Sequence, residues 1–126
     1  MNGRASAPER PTILLVDDEP AVRRSLQLVL QGNGFSVRSY GSGAALLADT
    51  GIEAAHGVVA DYRLPDGDGL AVLRGLQAAG FKGRAILVTA FGSPELRARA
   101  YQAGFSRVLE KPLAERLLRE AVADLI

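Results

Sequence analysis

The sequence predicts an α/β fold: a flavodoxin-like three-layer sandwich, with a five-stranded parallel sheet in the order 2-1-3-4-5 and five helices. Two observations carry this. Short apolar runs alternate with stretches of helical period, the pattern of a parallel sheet covered on both faces. Three of the runs are continuously apolar and two alternate with polar residues. Continuous strands are buried on both faces, whereas alternating ones tolerate an edge. With the second and fifth strands at the edges and right-handed crossovers, 2-1-3-4-5 is the simplest order.

The elements follow in order. Thr12–Asp17 is a continuous apolar run. Pro20 then stands at a first helical position, and Val22, Leu26, Val29 and Leu30 share one helical face. Gly32-Asn33-Gly34 stops that helix. Phe35–Tyr40 alternates as a half-buried strand does, and Ala44–Asp49 is a short helix. Val58–Asp61 is continuous again, and Asp68–Ala79 places Leu70, Leu73 and Leu76 at helical spacing, with Asp68 as its cap. Ala85–Thr89 is the fourth strand. Ser93-Pro94-Glu95 caps and opens a helix with Leu96, Ala100 and Ala103 inward. Ser106–Lys111 alternates, and Leu113, Leu117, Ala121 and Leu125 mark the last helix.

Composition bounds the function. The chain has 126 residues, 48% of them hydrophobic and 23% charged, which suits one globular domain. A net charge of +1 gives no nucleic-acid footprint, so no direct DNA binding is expected. There is no cysteine, hence no disulfide, thiolate site or cysteine nucleophile. No apolar run approaches a membrane span, and MNGRASAPERP lacks the apolar stretch of a secretory signal. Residues 1–11 are expected to be a flexible tail, residues 12–126 the domain, and the location cytoplasmic. No output region is expected after the last helix.

In that topology ligands bind outside the carboxyl ends of the strands, at the switch point between strands 1 and 3. Strand 1 ends in Asp17-Asp18, strand 3 in Asp61, strand 4 in Thr89 and strand 5 in Lys111-Pro112. Each residue alone has an ordinary use as a cap, a turn former or a solvated charge. All five at matching strand ends form a joint pattern. Neighbouring like charges in VDDE repel by ~1–4 kcal/mol per pair at contact distances. A hard, oxygen-only donor set suits Mg²⁺ or Mn²⁺, which would offset that repulsion. Lys111 can approach a phosphoryl group as a point charge and Thr89 can donate a hydrogen bond to it. An ionised aspartate can then attack phosphorus to give an acyl phosphate.

These residues resemble the receiver domains of bacterial two-component response regulators, similar to the chemotaxis receiver. ILLVDDEP, VVADYRLPDGDGL, AILVTAFGS and AGFSRVLEKP carry the resemblance in family order. It implies that Asp61 is the phosphoacceptor, and that Asp18 and Asp61 bind Mg²⁺ with the backbone carbonyl of Arg63. By the same resemblance Asp17 holds metal waters, Thr89 and Lys111 meet the phosphoryl group, and the Lys111–Pro112 peptide is cis. The implied donor is a sensor histidine kinase or phosphotransfer protein. The implied downstream partner meets the fourth helix, fifth strand and fifth helix, a surface that also allows a phosphorylation-dependent homodimer. The domain is then a switch rather than an enzyme, at most promoting its own phosphorylation and slow dephosphorylation.

The chain departs from the family at Val108, where an aromatic residue is usual; Phe105 and Tyr101 are expected to pack instead. Phe91, two after Thr89, supplies no group to align water, which predicts slow self-dephosphorylation. Asp66 is expected to be a solvated turn residue, His56 a surface or satisfied polar residue, and Gly41-Ser42-Gly43 a plain loop. The late arginines 97, 99, 107, 116 and 119 are expected to be a solvated face. Three rivals stand beside this. A Mg²⁺-dependent aspartyl phosphatase would need D-x-D where Asp17-Asp18 stands. A flavodoxin-like cofactor binder would need a phosphate cradle after strand 1. An unphosphorylated interaction scaffold would not need the full acidic set.

Overall fold

The computed structural model describes residues 10–125. Five parallel strands form the sheet: β1 (Thr12–Val16), β2 (Ser36–Tyr40), β3 (Gly57–Asp61), β6 (Arg84–Thr89) and β7 (Arg107–Glu110), in the order β2-β1-β3-β6-β7. This is the predicted order, with β6 and β7 as the fourth and fifth strands. Between β3 and β6 lies a short antiparallel ribbon of β4 (Arg63–Leu64) and β5 (Gly67–Asp68), which the sequence reading did not anticipate. Five helices complete the layers: α1 (Pro20–Gly32), α2 (Gly43–Leu47), α3 (Gly69–Ala78), α4 (Pro94–Ala103) and α5 (Glu115–Ala123). None of the described helices is long and apolar enough to cross a membrane.

Strand burial follows the residue pattern. Ile13 to Val16 are fully buried, β3 is buried along its length, and the edge strands β2 and β7 are only partly so. Successive side chains point to opposite faces of a strand, and this splits the core in two. Leu14, Val16, Val58, Ala60 and Leu87 pack with α2, α3 and α4, while Ile13, Leu15, Val59, Ile86 and Val88 pack with α1 and α5. Burial of each such leucine or isoleucine contributes ~1.5–3 kcal/mol.

The helix signals hold at most ends. Ser93 and Asp68 cap α4 and α3, accepting from Leu96 N at 3.1 Å and Ala71 N at 2.8 Å. Gly104 closes α4 with φ of 116°, a conformation open to glycine. Three expectations need correction. The second helix starts at Gly43 and ends at Leu47, because Ser42 caps it and Asp49 leaves the helix to meet Arg38 and Tyr40. Of the stripe expected for the last helix, Ala121 and Leu125 are buried, but Leu117 is 45% exposed and Leu118 and Val122 take the inward face of α5 instead. Tyr101 does not pack either, being 51% exposed, whereas Phe105 is buried. Of the tail expected over 1–11, residues 1–9 lie outside the described residues; the Pro11 carbonyl accepts from Ser36 N at 2.9 Å.

Candidate functional site

The sheet brings the strand-end residues together at one rim. β1 and β3 are adjacent, so Asp17 and Asp61 emerge side by side at the switch point. Both are buried, at 0% and 6% exposure, and Asp18 and Glu19 are exposed. The four carboxylates each offer an oxygen within 4.8 Å of the others. Lys111 arrives from the end of β7, tied there by its own N–H to the Thr89 carbonyl at 2.8 Å. Its Nζ lies 3.1 Å from Asp17 Oδ2, 3.1 Å from Glu19 Oε1 and 3.1 Å from Asp61 Oδ2. The repulsion within VDDE is thus offset by an ammonium from the far end of the chain. The Lys111–Pro112 peptide is cis, as the resemblance implied.

The charges tune one another. Burial pushes the Asp61 carboxyl up, the hydrogen bond from Lys111 opposes this, and the charge of Asp17 adds to the rise. Burial pulls the Lys111 ammonium down, but the adjoining carboxylates of Asp17, Glu19 and Asp61 outweigh it and hold the group above the usual lysine range. Lys111 is therefore a fixed cation, and Asp61 is a carboxylate less stabilised by its surroundings than one in water.

Neighbouring backbone holds these groups in place. Tyr62 N–H donates to the Val88 carbonyl at 2.8 Å, and Gly69 N–H donates to the Tyr62 carbonyl at 2.8 Å. A Cβ at position 69 would stand 2.6 Å from the Asp61 carbonyl oxygen, so only glycine lets α3 start this close to Asp61. Behind β1, Arg23 Nη1 donates to the Asp17 carbonyl at 2.6 Å and Glu19 N–H donates to Asp17 Oδ1 at 2.9 Å. Asp66 is the exposed turn residue that the sequence predicts, and it also has backbone partners. Its two oxygens accept from Gly43 N and Ala44 N, at 3.0 and 2.8 Å, and pin the start of α2 to the ribbon. Ser42-Gly43 is accordingly a helix start rather than plain loop, and the N–H groups of Gly43 and Ala44 are already taken.

Thr89 is 2% exposed, and its hydroxyl oxygen accepts from Phe91 N at 3.2 Å. Phe91 is 73% exposed, and the Arg63 guanidinium lies over its ring, 5.6 Å from the centroid. Val108 is buried, and Arg97 crosses to its carbonyl at 3.3 Å and to Glu110 at 3.2 Å. Arg107, Arg116 and Arg119 pair with Asp124, Glu120 and Glu115 on a solvated face. His56 is exposed and accepts from Thr12 N at 3.2 Å, a satisfied polar residue.

Asp18, Glu19, Asp61, Arg63, Leu64, Pro65, Ala90 and Lys111 line a polar cavity of about 280 Å³. A larger groove of about 690 Å³ between α1 and α5 shares Glu19, Ala90 and Lys111 with it, but its other walls are mainly apolar and supply little to bind an anion. The smaller cavity gathers the charged strand-end residues Asp18, Asp61 and Lys111. The residues fit a divalent cation on two counts. The donors are all hard oxygens, and Asp17 Oδ2 is buried without a hydrogen bond, because Lys111 is near it but not aligned as its donor. Every predicted acidic ligand and Lys111 is in this cluster; Thr89 adjoins it through Lys111, and Arg63 lines the wall. Glu19 received no role from the sequence. Its signal was its position as the N-cap of α1, where it makes no side-chain cap bond.

The chain matches the response regulator receiver domain family over residues 13–123. It is 35% identical over 116 residues to the transcriptional regulatory protein FixJ of Azorhizobium caulinodans, covering 91% of this chain and 54% of that protein. It is also 35% identical over 112 residues to the C4-dicarboxylate transport transcriptional regulatory protein DctD of Rhizobium meliloti, covering 88% and 24%. The chain thus spans about half, or less, of these relatives. Among solved structures, the BeF3-activated DrrB receiver domain superposes with a TM-score of 0.83 at 27% identity, covering 93% of this chain and 97% of that one. A CheY-like receiver domain protein from Methanospirillum hungatei gives 0.81 at 27% identity, covering 92% and 93%.

Proposed function

The chain belongs to the response regulator receiver domain family, the phosphoacceptor switches of two-component signalling, and from that premise we propose that Asp61 is its phosphoacceptor and Lys111 its phosphoryl-binding cation. The observation that carries this is the approach of Lys111 Nζ to Asp61 Oδ2, at 3.1 Å, inside a ring of carboxylates. An Asp61 oxygen forms the new O–P bond. The P–N bond to the donor imidazole breaks, its electron pair stays on nitrogen, and that nitrogen takes up a proton. Lys111 follows the charge onto the phosphoryl oxygens. Positioning and charge neutralisation supply most of the rate.

Asp17, Asp18 and Asp61, with the Arg63 carbonyl, would hold Mg²⁺ or Mn²⁺. That ion supplies positive charge to the phosphoryl oxygens. The Thr89 hydroxyl, which accepts from Phe91 N in the resting state, donates its proton to the phosphoryl group. This draws the segment from Thr89 to α4 inward and shifts the balance between two packings of the α4–β7–α5 face. A histidine kinase or phosphotransfer protein is the donor and a downstream protein, or a second copy, reads that face. The setting is the cytoplasm, where such kinases present phosphohistidine.

Incubation with acetyl phosphate and Mg²⁺, followed by intact-mass measurement, tests the assignment. The wild type gains one phosphoryl group, and Asp61→Asn gains none. Equal labelling of both proteins rejects Asp61.

A further inference from the structure

We propose that Glu19 sets the choice of phosphodonor. Its exposed carboxylate holds Lys111 and repels small anionic donors from the cavity, and a protein donor lifts that barrier by presenting a cation to it. The inference rests on Asp61 being the phosphoacceptor.

Glu19 breaks a local rule. It is the N-cap of α1 with extended backbone, where a side chain normally accepts from the first free N–H groups, yet it makes no such bond. Its carboxylate instead reaches Lys111, 92 residues away, at 3.1 Å. Local preferences are given up in this way chiefly at functional sites. The three acids around Lys111 are not equivalent. The Asp17 and Asp61 side chains are 1% and 7% exposed, and that of Glu19 is 61% exposed. Glu19 is therefore the one arm that Lys111 can release without uncovering a buried charge.

Its position gives that arm a second effect. Glu19 lines the polar cavity and also the apolar groove beside it, so it stands on the ridge between them. A phosphoryl group coming to Asp61 must pass this carboxylate and must take Lys111 from it. A free phosphodonor brings only negative charge and meets the full repulsion. A protein donor that sets a lysine or arginine against Glu19 cancels the repulsion and frees Lys111 in one contact.

Donor charge provides the test. Acetyl phosphate is a dianion and phosphoramidate a monoanion at neutral pH, so the barrier discriminates between them. Initial rates are read by intact mass on wild type, Glu19→Gln and Glu19→Asp. Each protein is held at a saturating Mg²⁺ concentration determined for it, since Glu19 belongs to the carboxylate cluster. For a charge ~8 Å from the donor in water-like surroundings, Glu19→Gln speeds acetyl phosphate about fivefold and phosphoramidate about twofold. Both gains shrink in 1 M salt. Glu19→Asp, which keeps the charge, retains the wild-type ratio of the two rates. An unchanged ratio in Glu19→Gln, with wild type still labelled, overturns the role of Glu19 alone. A wild type that takes phosphoryl from neither donor overturns the reading of Asp61 as well.

Discussion

Asp61 is held where its charge is costly, and replacing it should stabilise the metal-free protein. Attraction to Lys111 at 3.1 Å is worth about 5 kcal/mol at an effective dielectric of ~20. Repulsion from buried Asp17, within 4.8 Å, is worth about 3 kcal/mol on the same scale, and exposed Asp18 and Glu19 add ~1 kcal/mol each at a more water-like dielectric. The two sides nearly cancel. What remains is the desolvation of a carboxylate only 6% exposed, which asparagine of the same shape largely avoids. Asp61→Asn should gain ~1–2 kcal/mol and a few degrees in Tm. The sign with pH follows from the raised Asp61 carboxyl. The folded protein holds that proton to higher pH than the unfolded chain does, so the ionised group destabilises the fold at neutral pH. This penalty fades as pH falls through the folded-state titration of Asp61 toward the ordinary aspartate value. Thermal melts of both proteins in chelator, from pH 7 downward, should show a gap that closes on acidification. Adding Mg²⁺ should raise the wild type more than the variant, because binding to the folded state adds stability. A variant that melts at or below the wild type at pH 7 in chelator refutes the reasoning.

Two further outcomes are expected. The Asp49 carboxyl is brought down to about 2 by the hydrogen bond from Arg38, against burial and with help from Tyr40. Its stabilisation is complete above the ordinary value of 3.8 and disappears as pH falls through about 2. Asp49→Asn should therefore cost ~1–2 kcal/mol in denaturant melts at pH 7 and almost nothing at pH 2. For Phe91, whose exposed ring lies under the guanidinium of Arg63, a residue lining the polar cavity, Phe91→Glu should speed phosphate release from the phosphorylated protein. Release at the wild-type rate would show that the ring does not limit water.

Strand order and the acidic site were legible because both depend on where strands end. Continuous runs such as ILLV and AILV mark interior strands, and in a parallel sheet every carboxyl end lies on one rim, so Asp17, Asp61 and Lys111 converge by topology alone. Pairings chosen by side-chain reach were not legible. Glu19 meets Lys111 across 92 residues, Asp66 clips α2 from the ribbon, and Arg38, Tyr40 and Asp49 close on one another across the β2–α2 turn. Nothing in their local sequence periods marks these contacts. Leu117 failed for a simpler reason. Ala121 and Leu125 are buried as expected, but between them the inward face is filled by Leu118 and Val122, which an i, i+4 spacing alone does not pick out.

The division of the core by the sheet has a consequence for how the molecule tolerates change. Leu14 and Leu15 adjoin in the chain, yet one belongs to the compartment of α3 and α4 and the other to that of α1 and α5. Loss of volume beneath α4 is absorbed by one set of neighbours and beneath α1 by another, with a layer of hydrogen-bonded backbone between. Defects introduced on opposite sides should accumulate independently, while two on one side share the same room to relax. The backbone wall lets each half of this small protein wear out, or be rebuilt, without the other registering it.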